Sequence, residues 1–398
     1  MTVLGVIAEY NPFHNGHLHH LKASREAIGA DFAIAAISGC FVQRGEPAIC
    51  DKWTRASMAL KHGADLVLEL PCAIATSSAE RFATFGVKLL DSLGVATHMS
   101  FGTESGDLEA LSRIARDTLA IQDTPEFKKA ISEALASGLP YFAACERALM
   151  YILRIDQNFI RQPNHILAIE YLKALFKLGS GITPLALKRA SGPSFAPASA
   201  VRELLLKKDF PAAASLMPDE AFFDLLKAFS LHGPATLDSL SGVFQYLLKT
   251  ESPEALANIQ GISEGLENRL ISAASSNYEI SKVLKAANTK RYPYSRLQRA
   301  ALALALKITK QEFLDASNGP HYIRVLGFRK ESASLLAEIK RKAKIPVVIN
   351  LKNSSDLDEP GRSILESDLL RSELYYLACE SKRSVPKKLE RSKPLVIV

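Results

Sequence analysis

No stretch of this 398-residue chain approaches the ~20 consecutive apolar residues that span a bilayer, so a membrane-spanning helix is excluded. The opening run MTVLGVIAEYNPF has no basic segment before its apolar residues and no small-residue cleavage site after them. It does not read as an export signal. Cysteine is scarce and odd in number, with five residues scattered at Cys40, Cys50, Cys72, Cys145 and Cys379 and no C-x-x-C pair. That excludes a disulfide framework and a cysteine zinc cage. What remains is small buried residues in a reducing compartment. Repeats, heptad runs and low-complexity tracts are absent too. Hydrophobic residues at 47% and charged residues at 23% are ordinary globular composition, neither disordered nor collagen-like. The expectation is a soluble cytoplasmic protein without membrane association, long enough for two or three domains.

Charge is present in both signs but unevenly spread. Between Lys282 and Lys344 fifteen Lys and Arg face four acids, which leaves the first 281 residues at −5 within an overall +7. The run Lys290-Arg291-Tyr292-Pro293-Tyr294-Ser295-Arg296 mixes cations with tyrosines. Such a segment suits a polyanion, because each neutralised phosphate releases counterions and tyrosine rings can stack on exposed bases. A solvated helical surface accounts for the same charges. Lys290, Arg291, Arg296 and Arg299 are the candidate RNA contacts.

The first hundred residues alternate short apolar runs at 3–8, 32–37, 66–70 and 97–101 with helical patterns at 18–28, 52–62 and 79–93. Asp51 and Ser77 or Ser78 are candidate N-caps, and Gly29, Gly63 and Gly94 close the helices. Buried strands joined by helices predict βαβ units and a parallel sheet, whose ligands bind at the carboxyl ends of the strands. A further strand is expected at 184–187. After a Gly/Pro/Ser loop at 191–197 and a helix at 198–207, mostly helices follow, with late strands at 322–326 and 345–350. This gives an α/β, Rossmann-like domain over 1–207 and a mainly α-helical, basic, RNA-binding region over 208–398. A weakly packed tail is expected at 384–388.

The informative stretch is where the first strand meets a Pro-containing turn and H-x-G-H opens a helix: His14, Asn15, Gly16, His17. A helix N-terminus offers unpaired N–H donors and about half a positive charge, a site for phosphate. Gly16 removes a side chain where a ligand comes close to backbone. His14 and His17 can both face one anion and favour the negative charge that grows on an attacked α-phosphate. Four histidines within seven residues (His14, His17, His19, His20) also raise the question of a metal. But H-x-x-H-x-H-H lacks the Glu of a zincin, and no Cys or carboxylate pair lies nearby, so no metal site is assigned. Solvated histidines of a surface helix fit His19 and His20 best.

H-x-G-H after the first strand of a βαβ unit resembles the nucleotidyltransferase superfamily, relatives of the class I aminoacyl-tRNA synthetases. The longer text Ile7-Ala8-Glu9-Tyr10-Asn11-Pro12-Phe13-His14-Asn15-Gly16-His17 resembles the opening of the tRNA-Met cytidine acetate ligase family. So do residues 38–55, 63–71, 78–83, 101–104, 163–171, 261–269, 290–299 and 322–328, so the likeness runs over about 3–350. It implies a sheet of the HIGH nucleotidyltransferase type and an ATP-dependent ligase. Acetate and ATP would give acetyl-adenylate and pyrophosphate, and the acetyl group would pass to N4 of the wobble cytidine of elongator tRNA-Met. Mg²⁺ would carry the leaving pyrophosphate.

By this resemblance ATP lies along Ile7, Ala8, Glu9, Tyr10, Asn11, Pro12, Phe13, His14, Asn15, Gly16, His17, Leu18, His19 and His20. Gly102, Asn164 and Arg189 complete its site, with His14 and His17 as the catalytic pair. His165 stands where the family's Asn or Asp is expected, so no role is carried over to it. Read from the residues alone, Gly102 is a strand-end turn or a floor for the nucleotide, and Asn164 an N-cap or a ligand contact. Arg189 is a surface cation or a bidentate phosphate clamp. Ser199 and Arg202 resemble the superfamily's second phosphate motif and would hold pyrophosphate. Glu46, Asp51, Lys52 and Arg55 form a charged group after the second strand. Lys52 or Arg55 is expected to seat the acyl phosphate or the tRNA end, unless Asp51 and Arg55 are a surface ion pair. Two other functions remain open at this point: adenylyl transfer to a small phosphorylated acceptor, and non-catalytic RNA binding.

Overall fold

The computed structural model describes residues 1–381 and 389–398; the tail expected at 384–388 lies outside the described residues. The N-terminal pattern folds as its periodicity predicts. Strand β1 (Val3–Ala8) leads into helix α1 (Asn15–Ile28), then β2 (Phe32–Ser38). A hairpin of β3 (Phe41–Val42) and β4 (Glu46–Pro47) precedes helix α2 (Lys52–Lys61) and β5 (Leu66–Leu70). The helix Ala79–Ser92 leads to β6 (His98–Thr103), and β7 (Thr183–Lys188) follows the helix Pro163–Leu178. Asp51 and Ser78 accept from backbone N–H groups at their helix starts, and Gly29, Gly63 and Gly94 take positive φ at the ends.

These strands form one mostly parallel sheet in the order β5-β2-β1-β6-β7. The chain moves outward from β1 through β2 to β5, then returns to β6 and β7 on the other side. That reversal opens a crevice at the carboxyl ends of β1 and β6, the standard ligand position of such sheets. Two apolar clusters pack the two faces, one around Ile34, Leu68, Leu90 and Met99, the other around Leu4, Ile37, Met58 and Val67.

The sheet crosses residue 207. Strand β8 (Ile323–Phe328) joins the edge beside β5 antiparallel, and β9 (Val347–Val348) and β10 (Val396–Ile397) pair with it in parallel. The segment after 207 is therefore mainly helical but lends three strands to the sheet. Helix Leu108–Ile121 has no counterpart among the expectations from sequence, while Lys310–Asn318, Ala333–Lys342 and Glu359–Leu374 fall in the region expected to be mostly helical. Among the described residues no helix is long and apolar enough to cross a membrane.

The charged group after β2 is structural. Asp51 accepts from Thr54 N–H at 2.9 Å and caps α2, so it is neither half of a surface ion pair nor free to reach substrate. Arg55, 0% exposed, donates to the carbonyls of Glu9, Ser38, Gly39 and Cys50, tying the carboxyl ends of β1 and β2 together. Lys52, also 0% exposed, donates to Glu69 at 2.6 Å, to Glu390 and to Ser372. Burial of a cation is tolerated only with such partners. Both side chains are buried and engaged by protein partners, so neither is free to seat the acyl phosphate or the tRNA end, contrary to the expectation from sequence.

Candidate active site

A cleft of about 450 Å³ lies at the reversal of the sheet. Of the fourteen positions expected along ATP, Ile7, Ala8, Glu9, Tyr10, His14, Gly16, His17, His19 and His20 line it, as do Gly102, Asn164 and Arg189. Asn11, Pro12, Phe13, Asn15 and Leu18 do not. Phe13 is buried beneath the turn, and the Asn11 carboxamide oxygen accepts from Ile49 N–H at 2.7 Å to hold that turn. Asn15 donates to the carbonyls of Ser194 and Ser215.

His14 is the N-cap of α1, and its Nδ1 accepts from Gly16 N–H at 3.0 Å. His17 answers, its Nδ1 accepting from His14 N–H at 3.3 Å. This reciprocal cap is worth about 1 kcal/mol and fixes the tautomer of both rings, with the proton on Nε2. The rings lie 3.8 Å apart and 30° from parallel. The amides of the first turn are engaged, for Asn15 N–H donates to the Leu216 carbonyl and His17 N–H to that of His14. The sequence expectation of bare helix amides is thus corrected: the N–H groups of Asn15, Gly16 and His17 all have partners within the protein. Gly16 also serves the ring rather than only a ligand, because a Cβ there would come within 2.8 Å of His14 Cε1.

Both histidines are held neutral. Burial pulls His14 down to about 4, helped by the Arg189 and Arg202 charges. Burial also takes His17 well below the ordinary value, followed by the charges of His14, His20 and Arg189, while the Pro12 carbonyl opposes. His20, lowered to about 4 by burial and Arg189, is tied to the Ser100 hydroxyl at 3.0 Å. His19 is exposed and packs edge-on against Phe195. Among the described residues no three His, Cys, Asp or Glu side chains converge to hold a metal.

Across the cleft Arg189 donates to the Asn164 carboxamide oxygen at 3.4 Å, and Asn164 donates to Glu104 at 2.6 Å. Gln162, not Asn164, is the N-cap of its helix, which leaves the Asn164 side chain to the cleft. Gly102 lies under the Arg189 stem, where an added Cβ would sit 3.4 Å from Arg189 Cγ, and glycine leaves that floor open. His165 is buried away from the cleft, with Nδ1 donating to the Phe159 carbonyl and Nε2 accepting from Ser105 N–H.

Ser199 and Arg202 do not line the cleft. Arg202 donates to the Asn11 carbonyl at 2.8 Å and pairs with Glu46 at 2.9 Å, clamping the β1–α1 turn to the hairpin. Its charge is felt at His14 from behind. Ser199 is exposed. Gln43, Arg44, Ala79, Phe101, Tyr171, Lys188 and Phe195 also line the cleft, outside the set of site residues expected from sequence. The only signal for them is their place within the family-like text or the 191–197 loop or, for Lys188, directly after the strand expected at 184–187.

The basic segment lies beside this site. Gly45, at φ +83° in the hairpin turn, packs against the backbone of Arg299, where a Cβ would come within 2.7 Å of the amide nitrogen. Arg299 is half-buried, whereas Lys290 and Arg291 are exposed. Arg296 donates to Ser263 at 2.9 Å and to Glu264 at 3.3 Å. Tyr292 is buried, its hydroxyl donating to the Glu264 carbonyl and its ring flanked by Arg291 and Arg296. It is not free to stack on a base, which corrects that part of the sequence reading.

The family model described as HIGH Nucleotidyl Transferase matches residues 1–390 of the chain. A tRNA(Met) cytidine acetate ligase of Thermoanaerobacter sp. (strain X514) is 41% identical over 95% of this chain and 96% of its own length. One from Acetivibrio thermocellus is 38% identical over 95% of each. The crystal structure of Thermotoga maritima TmcAL bound with alpha-thio ATP superposes with a TM-score of 0.93 at 32% identity, covering 100% of both chains. With this fold and this cleft, the chain belongs to the tRNA(Met) cytidine acetate ligase family of HIGH nucleotidyl transferases.

Proposed function

We propose that this protein uses ATP to activate acetate as acetyl-adenylate and transfers the acetyl group to N4 of the wobble cytidine of elongator tRNA-Met. The observation that carries the reading is the pair of neutral imidazoles, 3.8 Å apart, at the reversal of the sheet. With each Nδ1 accepting from backbone, the Nε2–H groups of His14 and His17 would meet the α-phosphate. They are preorganised donors in a partly dry site, most useful when acetate attack adds negative charge to the phosphate. Arg189, opposite them, adds a fixed positive charge, and Gly102 and Asn164 would border the nucleoside.

No covalent nucleophile is required, because the protein's task is to hold acetate and ATP in line. Glu9 is the one carboxylate among the residues lining the cleft, against Arg44, Lys188 and Arg189. Such a donor set fits Mg²⁺ that arrives on the nucleotide and keeps much of its water, rather than a protein cage. When bound, the ion would offset the charge of the departing pyrophosphate. The exposed Lys290 and Arg291, with Arg296 and Arg299 next to the hairpin, supply the polyanion surface for tRNA. A cytoplasmic site of action goes with that substrate. Purified protein given ATP, labelled acetate and elongator tRNA-Met should yield N4-acetylcytidine in the digested RNA. No acetylated nucleoside under those conditions, with ATP consumed or not, would overturn the assignment.

A further inference from the structure

Transfer of acetyl to an exocyclic amine releases a proton, and the histidines of the cleft are poorly placed to take it. The Nδ1 lone pairs of His14 and His17 are spent on backbone N–H groups, and His20 Nε2 is tied to Ser100. His19 sits at the exposed lip against Phe195. Glu9 is the remaining titratable acceptor among the lining residues with a carboxylate's lone pairs to offer. It follows the last residue of β1, on the side of the cleft that faces the hairpin, with Gln43 and Arg44 as lining neighbours. Gly102, Asn164 and Arg189 belong to the opposite, β6–β7 side. One Glu9 oxygen, Oε1, accepts from Gln43 N–H at 2.9 Å, which orients the group.

A second observation points to the same corner. Tyr171, 2% exposed, lines the cleft from the helix Pro163–Leu178, and its hydroxyl has no hydrogen-bond partner among the described residues. A buried hydroxyl left unpaired costs about 1–3 kcal/mol, which a ligand carbonyl or ring nitrogen would recover. Tyr171 and Glu9 line the same cleft, and burial, with the Glu9 charge adding to it, raises the Tyr171 hydroxyl above its ordinary value.

We infer that Glu9 is the base of the transfer step, with Tyr171 helping to seat the cytosine on the hairpin side of the cleft. This rests on the function proposed above. As the N4 lone pair attacks the acetyl carbon, an N–C bond forms and the C–O bond to the adenylate phosphate breaks. AMP leaves with that electron pair, and the N4 proton passes to the Glu9 carboxylate. Burial raises Glu9 above the usual carboxylate range, and Glu46 adds to this, while the Gln43 N–H, Arg44 and Arg202 oppose. A carboxylate made more basic is better matched to the task.

The test is a quenched single-turnover reaction with labelled acetate, ATP and elongator tRNA-Met, run across pH on the wild type, Glu9→Gln and Glu9→Asp. Glutamine keeps an acceptor for the Gln43 N–H. Because Glu9 also lines the nucleotide cleft, transfer is read per acetyl-adenylate formed: in Glu9→Gln the adenylate should pass to tRNA on the order of 10²–10⁴ more slowly than in the wild type. The rising pH limb of wild-type transfer should vanish in Glu9→Gln and return in part in Glu9→Asp. Transfer by Glu9→Gln within about threefold of wild type, or adenylate formation falling in step with transfer, overturns the assignment. So does a wild-type transfer rate without a rising limb, a readout that does not depend on how any variant folds. A wild type that acetylates no tRNA overturns the functional reading and this inference together.

Discussion

Replacing Gly16 by alanine separates chemistry from folding. Gly16 has no positive φ, so its backbone accepts alanine. The new Cβ, however, would come within 2.8 Å of His14 Cε1 and 3.1 Å of its Nδ1. The ring must swing away, breaking the 3.0 Å bond from Gly16 N–H and misdirecting Nε2. Losing that cap costs about 1 kcal/mol. Alanine recovers about as much in helix propensity over glycine, so the melting temperature should scarcely move. Losing one oriented donor to the transition state should cost on the order of 10²–10³ in rate, about 2.7–4 kcal/mol. Gly16→Ala should therefore melt like wild type and acetylate tRNA hundreds of times more slowly in single-turnover assays. His14→Ala should lose a similar factor, and the double variant should be no worse than His14→Ala alone, since both act through one ring. A Gly16→Ala rate within about threefold of wild type would refute the role given to the His14 ring.

Three further outcomes follow from the buried charges and the basic surface. Because His14 and His20 are lowered to about 4, the unfolded chain binds protons between about pH 6.5 and 4 that the folded chain does not. Stability should thus fall on acidification through that window, by up to about 1.4 kcal/mol per pH unit per group, and His20→Gln should flatten the slope in urea melts. Unchanged slopes would contradict the buried, neutral state. Lys52→Met should destabilise by about 3–5 kcal/mol, because it leaves Glu69 and Glu390 buried without their cation; adding Glu69→Gln and Glu390→Gln should restore much of the loss. Arg291→Ala, removing an exposed cation, should weaken tRNA binding and reduce the salt slope by about one unit, measured by filter binding across ionic strength.

Local signals make the nucleotide-binding half legible. The alternation of buried strands with capped helices marks β1, β2 and β5 to within a residue, and H-x-G-H marks the start of α1. Two of the three strands after residue 207, β8 and β9, are visible as short apolar runs at 322–326 and 345–350, but their partners are not, and β10 has no counterpart in the sequence reading. The pairing of β8 with β5 joins segments more than 250 residues apart. Lys52 and Arg55 show why composition alone misplaces function. Their charges suggest substrate contact, yet their partners, Glu390 among them, come from distant parts of the chain. Tyr292 fails for a similar reason, since nothing in a Lys/Arg/Tyr run reveals that a glutamate carbonyl closes over the hydroxyl. The engaged amides of α1 are hidden because the His14 ring that takes Gly16 N–H presents itself in the motif only as a ligand to phosphate, and the Leu216 carbonyl that takes Asn15 N–H lies about 200 residues away.

The most direct measurement is a crystal structure with a nonhydrolysable ATP analogue. The account predicts the α-phosphate within hydrogen-bond distance of Nε2 on both His14 and His17, with the nucleoside against Gly102 and Asn164. A triphosphate bound elsewhere, or turned so that neither imidazole meets the α-phosphate, would contradict it.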